Sequence, residues 1–145
     1  MRRHAPTILL LFIACTLSAR ADLKLPAIIG DHMVLQQNLS DPIWGWDQPG
    51  TEVTVTFDGQ TKKAKADDTG KWATKLDAMP ANANPQSMTI KGSTTRELKN
   101  VLVGEVWICA GQSNMQFAVG TNWDADLEIA AAKHPQIFIS SPCQT

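Results

Sequence analysis

The sequence contains no tyrosine, only three cysteines and four phenylalanines, and almost no charge imbalance: thirteen basic residues face fourteen acidic ones, a formal net charge of −1. Each shortage removes a class of function. Without a basic excess there is no face to neutralise phosphates, so nucleic acid is not an expected partner. Three cysteines make no disulfide framework, and no CxxC, HExxH or clustered His/Cys/carboxylate spacing occurs. Neither a metal site nor a cofactor is therefore expected. No apolar run reaches the roughly 20 residues of a membrane-spanning helix, so no stable span is expected either. What is present, 145 residues of which 43% are hydrophobic and 19% charged, is the composition of a globular protein. The length suits one domain, or a small domain and part of another.

The amino terminus has the form of an export signal. Met1-Arg2-Arg3-His4 is a basic start, Thr7 to Leu17 is apolar, and Ser18-Ala19-Arg20-Ala21 offers an A-x-A cleavage site before Asp22. Residues 1–21 read as a signal peptide that is removed, leaving a secreted or periplasmic protein. A lipoprotein signal at Cys15 is the looser alternative. Cleavage takes Arg2, Arg3 and Arg20 with it and moves the formal charge from −1 to −4. Export would permit Cys109 and Cys143 to pair, and a buried thiol at Cys109 with an exposed one at Cys143 is equally open.

Residues 22–100 alternate with a period of two between turn residues. Val53, Val55 and Phe57 share one face of Glu52–Phe57, and the threonines take the other. Asp58-Gly59 then suits a two-residue hairpin, because both positions tolerate positive φ. The returning strand runs from Gln60 to Ala66, Asp67 to Gly70 turns the chain, and Trp72, Thr74 and Leu76 share the next face. Pro80 and Pro85 bracket a polar loop, and Met88, Ile90 and Thr94–Lys99 mark two further strands. With Ile28–Gln36 and Pro42–Trp46, these segments predict an all-β sandwich domain over 22–100.

From Val101 the pattern changes. Val101 to Ala110 is nearly continuous in apolar residues, as expected of a parallel strand covered on both faces. Gly111 to Met115 breaks the run. Asn122 can cap a helix over Trp123–Lys133, with Asp124, Asp126 and Glu128 in its early turns and Leu127, Ala130 and Ala131 on an apolar stripe. His134-Pro135 ends it, and Gln136–Ser140 reads as another strand. Residues 101–145 thus read as the first βαβ unit of an α/β domain that is incomplete in this chain.

Chemistry points to Ser113. It follows the expected strand in a Gly-x-Ser turn, where ligands of open α/β sheets bind. Gly111 allows the sharp turn, and the serine offers a nucleophilic hydroxyl and its own N–H as one donor to an oxyanion. Met115 stands where an α/β-hydrolase elbow has its second glycine. Gln112 and Asn114 flank the serine, and Trp123 opens the helix beyond it, so these three are the candidates for substrate contact. Trp44, Trp46, Trp72 and Trp107 are expected in the core. His32 reads as a loop or strand-end residue and His134 as a helix terminator. Neither they nor Asp124 and Asp126 are assigned to a triad.

The block Gly104-Glu105-Val106-Trp107-Ile108-Cys109-Ala110-Gly111-Gln112-Ser113-Asn114-Met115 resembles the nucleophile block of the sialate O-acetylesterases, a family of SGNH-type serine hydrolases. A second block, Asp31-His32-Met33-Val34-Leu35-Gln36-Gln37 followed by Pro42-Ile43-Trp44-Gly45-Trp46 and Pro49-Gly50, resembles that family's amino-terminal β-sandwich. The resemblance implies that Ser113 is the nucleophile, with its N–H in the oxyanion hole. It implies an exported esterase that removes O-acetyl groups from sialic acid or related carbohydrate through an acetyl-serine. It also implies that the Asp–His pair and the other oxyanion donors lie beyond Thr145. Gln116 stands where the family often carries an acidic residue.

Lacking a base of its own, the 145-residue chain is expected not to turn over esters. The other readings are an acetylxylan-type carbohydrate esterase and a non-catalytic β-sandwich module that binds carbohydrate.

Overall fold

The alternation in Glu52–Phe57 (β3) buries Val53, Val55 and Phe57 and leaves Glu52 and Thr56 outside, and this strand anchors the larger sheet. In the computed structural model, which describes residues 22–139, β3 folds back on Gln60–Lys65 (β4) through Asp58 and Gly59. Both turn residues have positive φ, 44° and 73°, as a hairpin of this twist requires. On its other side β3 pairs with Asn82–Lys91 (β6), and β6 pairs with Thr95–Gly104 (β7). Val34–Gln36 (β1) closes this edge and runs parallel to β7, placing Gln36 opposite Gly104. The order is β1-β7-β6-β3-β4. Pro42–Trp46 (β2) and Lys71–Lys75 (β5) form a separate antiparallel pair.

The two sheets share one core. Trp72 and Ile43 from the small sheet cluster with Val53, Val55, Phe57, Met88, Ile90 and Val101 from the large one. Asp47 is buried beside them, where its carboxylate accepts from the backbone N–H groups of Gln48 at 2.7 Å and Ser93 at 2.9 Å. A buried carboxylate with charge-assisted bonds to two turns ties those turns together.

Three expected elements differ. The first strand begins at Val34 and not at Ile28, because residues 27–32 turn and His32 sits at φ 62°. Pro85 lies inside β6 and not in a loop. The pairing of β6 with β7 slips on both sides of Gln86, which accommodates a residue with no N–H to give to the ladder.

The third difference concerns the expected βαβ unit. Val101, Leu102 and Val103 are buried and parallel to β1, as an apolar run predicts, but they belong to β7 and the strand stops at Gly104. Beyond Gly104 no neighbouring strand takes up the ladder among the described residues, and residues 105–112 have no regular structure. The helix is shorter than expected, Ala125–Ala131 (α1), with Asp124 and not Asn122 at its cap. Residues 136–139 form no strand. Leu127 and Ile129 on α1 are exposed, so its apolar stripe is uncovered among the described residues. Over the described residues the fold is therefore mostly β, with one short α-helix.

The segment 1–21 and Cys143 lie outside the described residues. Among those described, no helix is long and apolar enough to cross a membrane.

Candidate active site

Beyond β7 the chain is held for two residues and then released. Glu105 accepts on one carboxylate oxygen from Gln36 Nε2, at 3.2 Å, and on the other from Gln37 Nε2. Gln36 Oε1 accepts in turn from the Val106 N–H at 2.9 Å, and the Gln37 N–H donates to the Gly104 carbonyl at 2.8 Å. The amides of Gln37 and, second, Gln36 stabilise the charged carboxylate and hold the Glu105 pKa below its ordinary value. Past Val106 the chain is exposed. Trp107 is 83% accessible and Ile108 90%, which corrects the expectation that Trp107 packs in a buried strand.

Ser113 opens a 3₁₀ turn over Ser113–Gln116. The turn is closed by the Met115 N–H, which donates to the Gln112 carbonyl at 2.9 Å. Gly111, Gln112 and Ser113 are all exposed. Ser113 is thus held outside any packed core, as a nucleophile must be. It does not stand at the carboxyl end of a buried strand, because the strand ends nine positions earlier, at Gly104. Gly111 is needed for close approach: a Cβ there would press into Met115 Cγ. The placement of Asn114 is described only for its backbone, within the turn.

The other candidates are not drawn together. Trp123 is 98% exposed and borders an open hollow of about 630 Å³ with Val119, Asn122, Asp124 and Glu128, and Ser113 is not among its lining residues. No hydrogen bond joins Ser113 to His32 or His134. His32 lies in a turn, receives the Asn100 amide at Nδ1, 2.6 Å away, and meets the Phe138 ring edge-on at 5.6 Å. His134 follows α1 and is exposed. Cys109 is a free, exposed thiol, so the alternative of a buried one falls away. Among the described residues no cluster of His, Cys, Asp and Glu could hold a metal ion.

Gln36, Gln37 and Glu105 were not singled out by sequence reasoning, although each belongs to one of the two resemblance blocks. The available signal was that the set draws on both blocks, Gln36 and Gln37 from one and Glu105 from the other. What joins them is the parallel register of β1 and β7, which brings together residues about 70 positions apart.

No protein-family model matches the chain. Among curated proteins it is 34% identical to the sialate O-acetylesterase of Mus musculus over 152 residues, which covers 95% of this chain and 28% of that protein. It is 35% identical to the sialate O-acetylesterase of Homo sapiens over 144 residues, 88% of this chain and 27% of that one. Among solved structures, a carbohydrate acetylesterase from Xanthomonas citri matches with a TM-score of 0.72 and 35% identity, across 77% of this chain and 26% of that one. The chain spans little more than a quarter of the length of the curated relatives it matches. Over the part that it spans, the chain is similar to a quarter or so of the length of sialate O-acetylesterases and to a carbohydrate acetylesterase of known structure.

Proposed function

We propose that this chain is the nucleophile-bearing part of an exported serine esterase that removes O-acetyl groups from carbohydrate. Sialic acid is the leading substrate, and an acetylated polysaccharide such as xylan is the second. The observation that carries the reading is Ser113, exposed at the head of a tight turn, within a block that resembles the nucleophile block of the sialate O-acetylesterases. In the proposed reaction Ser113 Oγ attacks the acetyl carbonyl, its proton passes to a base, and the sugar oxygen leaves reprotonated. Water then attacks the acetyl-serine, releasing acetate and restoring the hydroxyl. The Ser113 N–H would supply one donor to the oxyanion. An unassisted serine is a weak nucleophile at neutral pH, so the Asp–His pair that the resemblance sets beyond Thr145 is part of the proposal.

The test uses the full product of the gene. Ser113→Ala should lower hydrolysis of 4-nitrophenyl acetate and of 9-O-acetylated sialic acid by about a thousandfold or more, and abolish labelling by a fluorophosphonate. Turnover or labelling that survives the substitution refutes the serine. Acetylated xylan turned over faster than the sialic acid ester would select the second substrate. Export rests on residues 1–21, and a mature chain beginning at Asp22 outside the cytoplasm is the expected result of amino-terminal sequencing.

A further inference from the structure

We propose that Gln36, Gln37 and Glu105 form a latch that positions the serine-bearing segment on the β domain, an inference that rests on the esterase reading of Ser113. The three side chains make a closed pattern. Both oxygens of the Glu105 carboxylate are taken by different amides, and the carbonyl oxygen of one of those amides takes the next backbone N–H of the outgoing chain, that of Val106. Gln36 is itself fixed from behind, since its backbone N–H donates to Asp41 Oδ1 at 3.1 Å. Gln37 is fixed by its own backbone bond to Gly104. The latch therefore joins a buried carboxylate of the β domain to the first two residues that leave the sheet.

After Val106, no hydrogen bond ties residues 107–111 to the β domain among the described residues. The direction in which the chain departs toward Ser113 is thus set at Glu105 and Val106. A displacement there is carried forward, and a nucleophile misplaced by about 1 Å loses up to a hundredfold in rate. Glu105 is exposed and Gln36 and Gln37 are half-buried, and the bonds between them are open to solvent, so they add little to global stability. A latch of this kind acts on kcat and leaves the melting temperature alone, which separates it from a residue that merely supports the fold.

Exchanging the two partners tests the pattern. Glu105→Gln sets an amide N–H₂ against the Gln37 amide, and Gln37→Glu sets two carboxylates against each other. The double variant restores the pairing in reverse, with the new amide at 105 accepting from Gln36 and donating to the carboxylate at 37. In the full gene product each single variant should lower kcat for 4-nitrophenyl acetate about tenfold, with KM within about twofold and the melting temperature within about 1 °C, and the double variant should recover most of the loss. Amide exchange across residues 105–113 should rise in the single variants and return in the double, a readout that needs no turnover. Single variants with unchanged kcat and unchanged exchange overturn the latch, as does a double variant no better than either single. A Ser113→Ala control that retains turnover would sink the esterase reading instead, so the two failures are told apart.

Discussion

Asn100 donates its side-chain amide to His32 Nδ1 at 2.6 Å, and both residues hold left-handed backbones, φ 56° and 62°. The His32 N–H also donates to the Lys99 carbonyl at 3.0 Å, so the turn at His32 is clasped to β7, 68 residues away in sequence, at side chain and backbone together. Left-handed backbone costs a residue with a Cβ about 1–2 kcal/mol, least for asparagine. Asn100→Gly keeps the conformation and loses the contact, whereas Asn100→Val loses both. The valine variant should therefore unfold at lower urea, by about 1–2 kcal/mol relative to the glycine variant. Equal destabilisation would assign the whole effect to the hydrogen bond.

The core should answer to single atoms. Val55 and Ile90 face each other across β3 and β6, and both are fully buried. Ile90→Ala should cost about 2–5 kcal/mol in equilibrium unfolding, from lost burial and the cavity left behind. Leu127→Ala on α1, where the side chain is exposed, should stay within about 0.5 kcal/mol. A comparable loss at Leu127 would mean that α1 packs on something in solution.

The pattern of the sequence reached the strands with local partners and missed the arrangement that depends on distant ones. Pro42–Trp46 and Glu52–Phe57 appear with the bounds that alternation predicts, because β3 meets β4 through a turn written in two residues, Asp58 and Gly59. The passage of β6 through Pro85 was hidden, since a proline in a polar stretch reads as a break and only the slipped pairing with β7 shows how it is accommodated. Of the apolar run Val101 to Ala110, read as one covered parallel strand, only residues 101–104 lie in a strand, as the end of β7, because periodicity cannot say which strand lies beside the run or how far its ladder extends. Its partner is β1, and the run loses its ladder after Gly104. At the site, Ser113 is exposed in a 3₁₀ turn, but the strand that was expected to lead directly into it ends at Gly104. The grip of Gln36 and Gln37 on Glu105 was not legible, because it exists only once β1 and β7 are aligned.

Asp41 supplies a dependence on pH. Burial raises its carboxyl above the ordinary aspartate value, against the smaller opposing effect of the Gln36 N–H. An acid whose pKa is higher folded than unfolded binds its proton more tightly in the folded state. Its contribution to stability is complete below the unfolded value and is lost as pH rises through the folded one. Asp41→Asn removes this titration. Relative to the variant, the parent protein should lose stability as pH rises through that window and keep a constant deficit above it. Urea midpoints for both proteins from about pH 3 to pH 7 measure the gap, and a gap that does not change refutes the burial of charge as its cause.

Gly111 and Met115 make the last case, because the demand for glycine comes from a single neighbour. A Cβ at position 111 would meet Met115 Cγ, an atom close enough to the backbone that the methionine must change rotamer to escape. Met115 also closes the turn that presents Ser113, through its N–H to the Gln112 carbonyl. Gly111→Ala should therefore reduce kcat of the full gene product about tenfold or more by displacing the turn. Met115→Ala removes the side chain and keeps the backbone bond, so its own effect should be smaller. The double variant should recover activity toward that of Met115→Ala alone, a coupling that independent sites do not show. If it stays as slow as Gly111→Ala, the glycine is required by something other than the methionine, such as room for the substrate at the mouth of the turn.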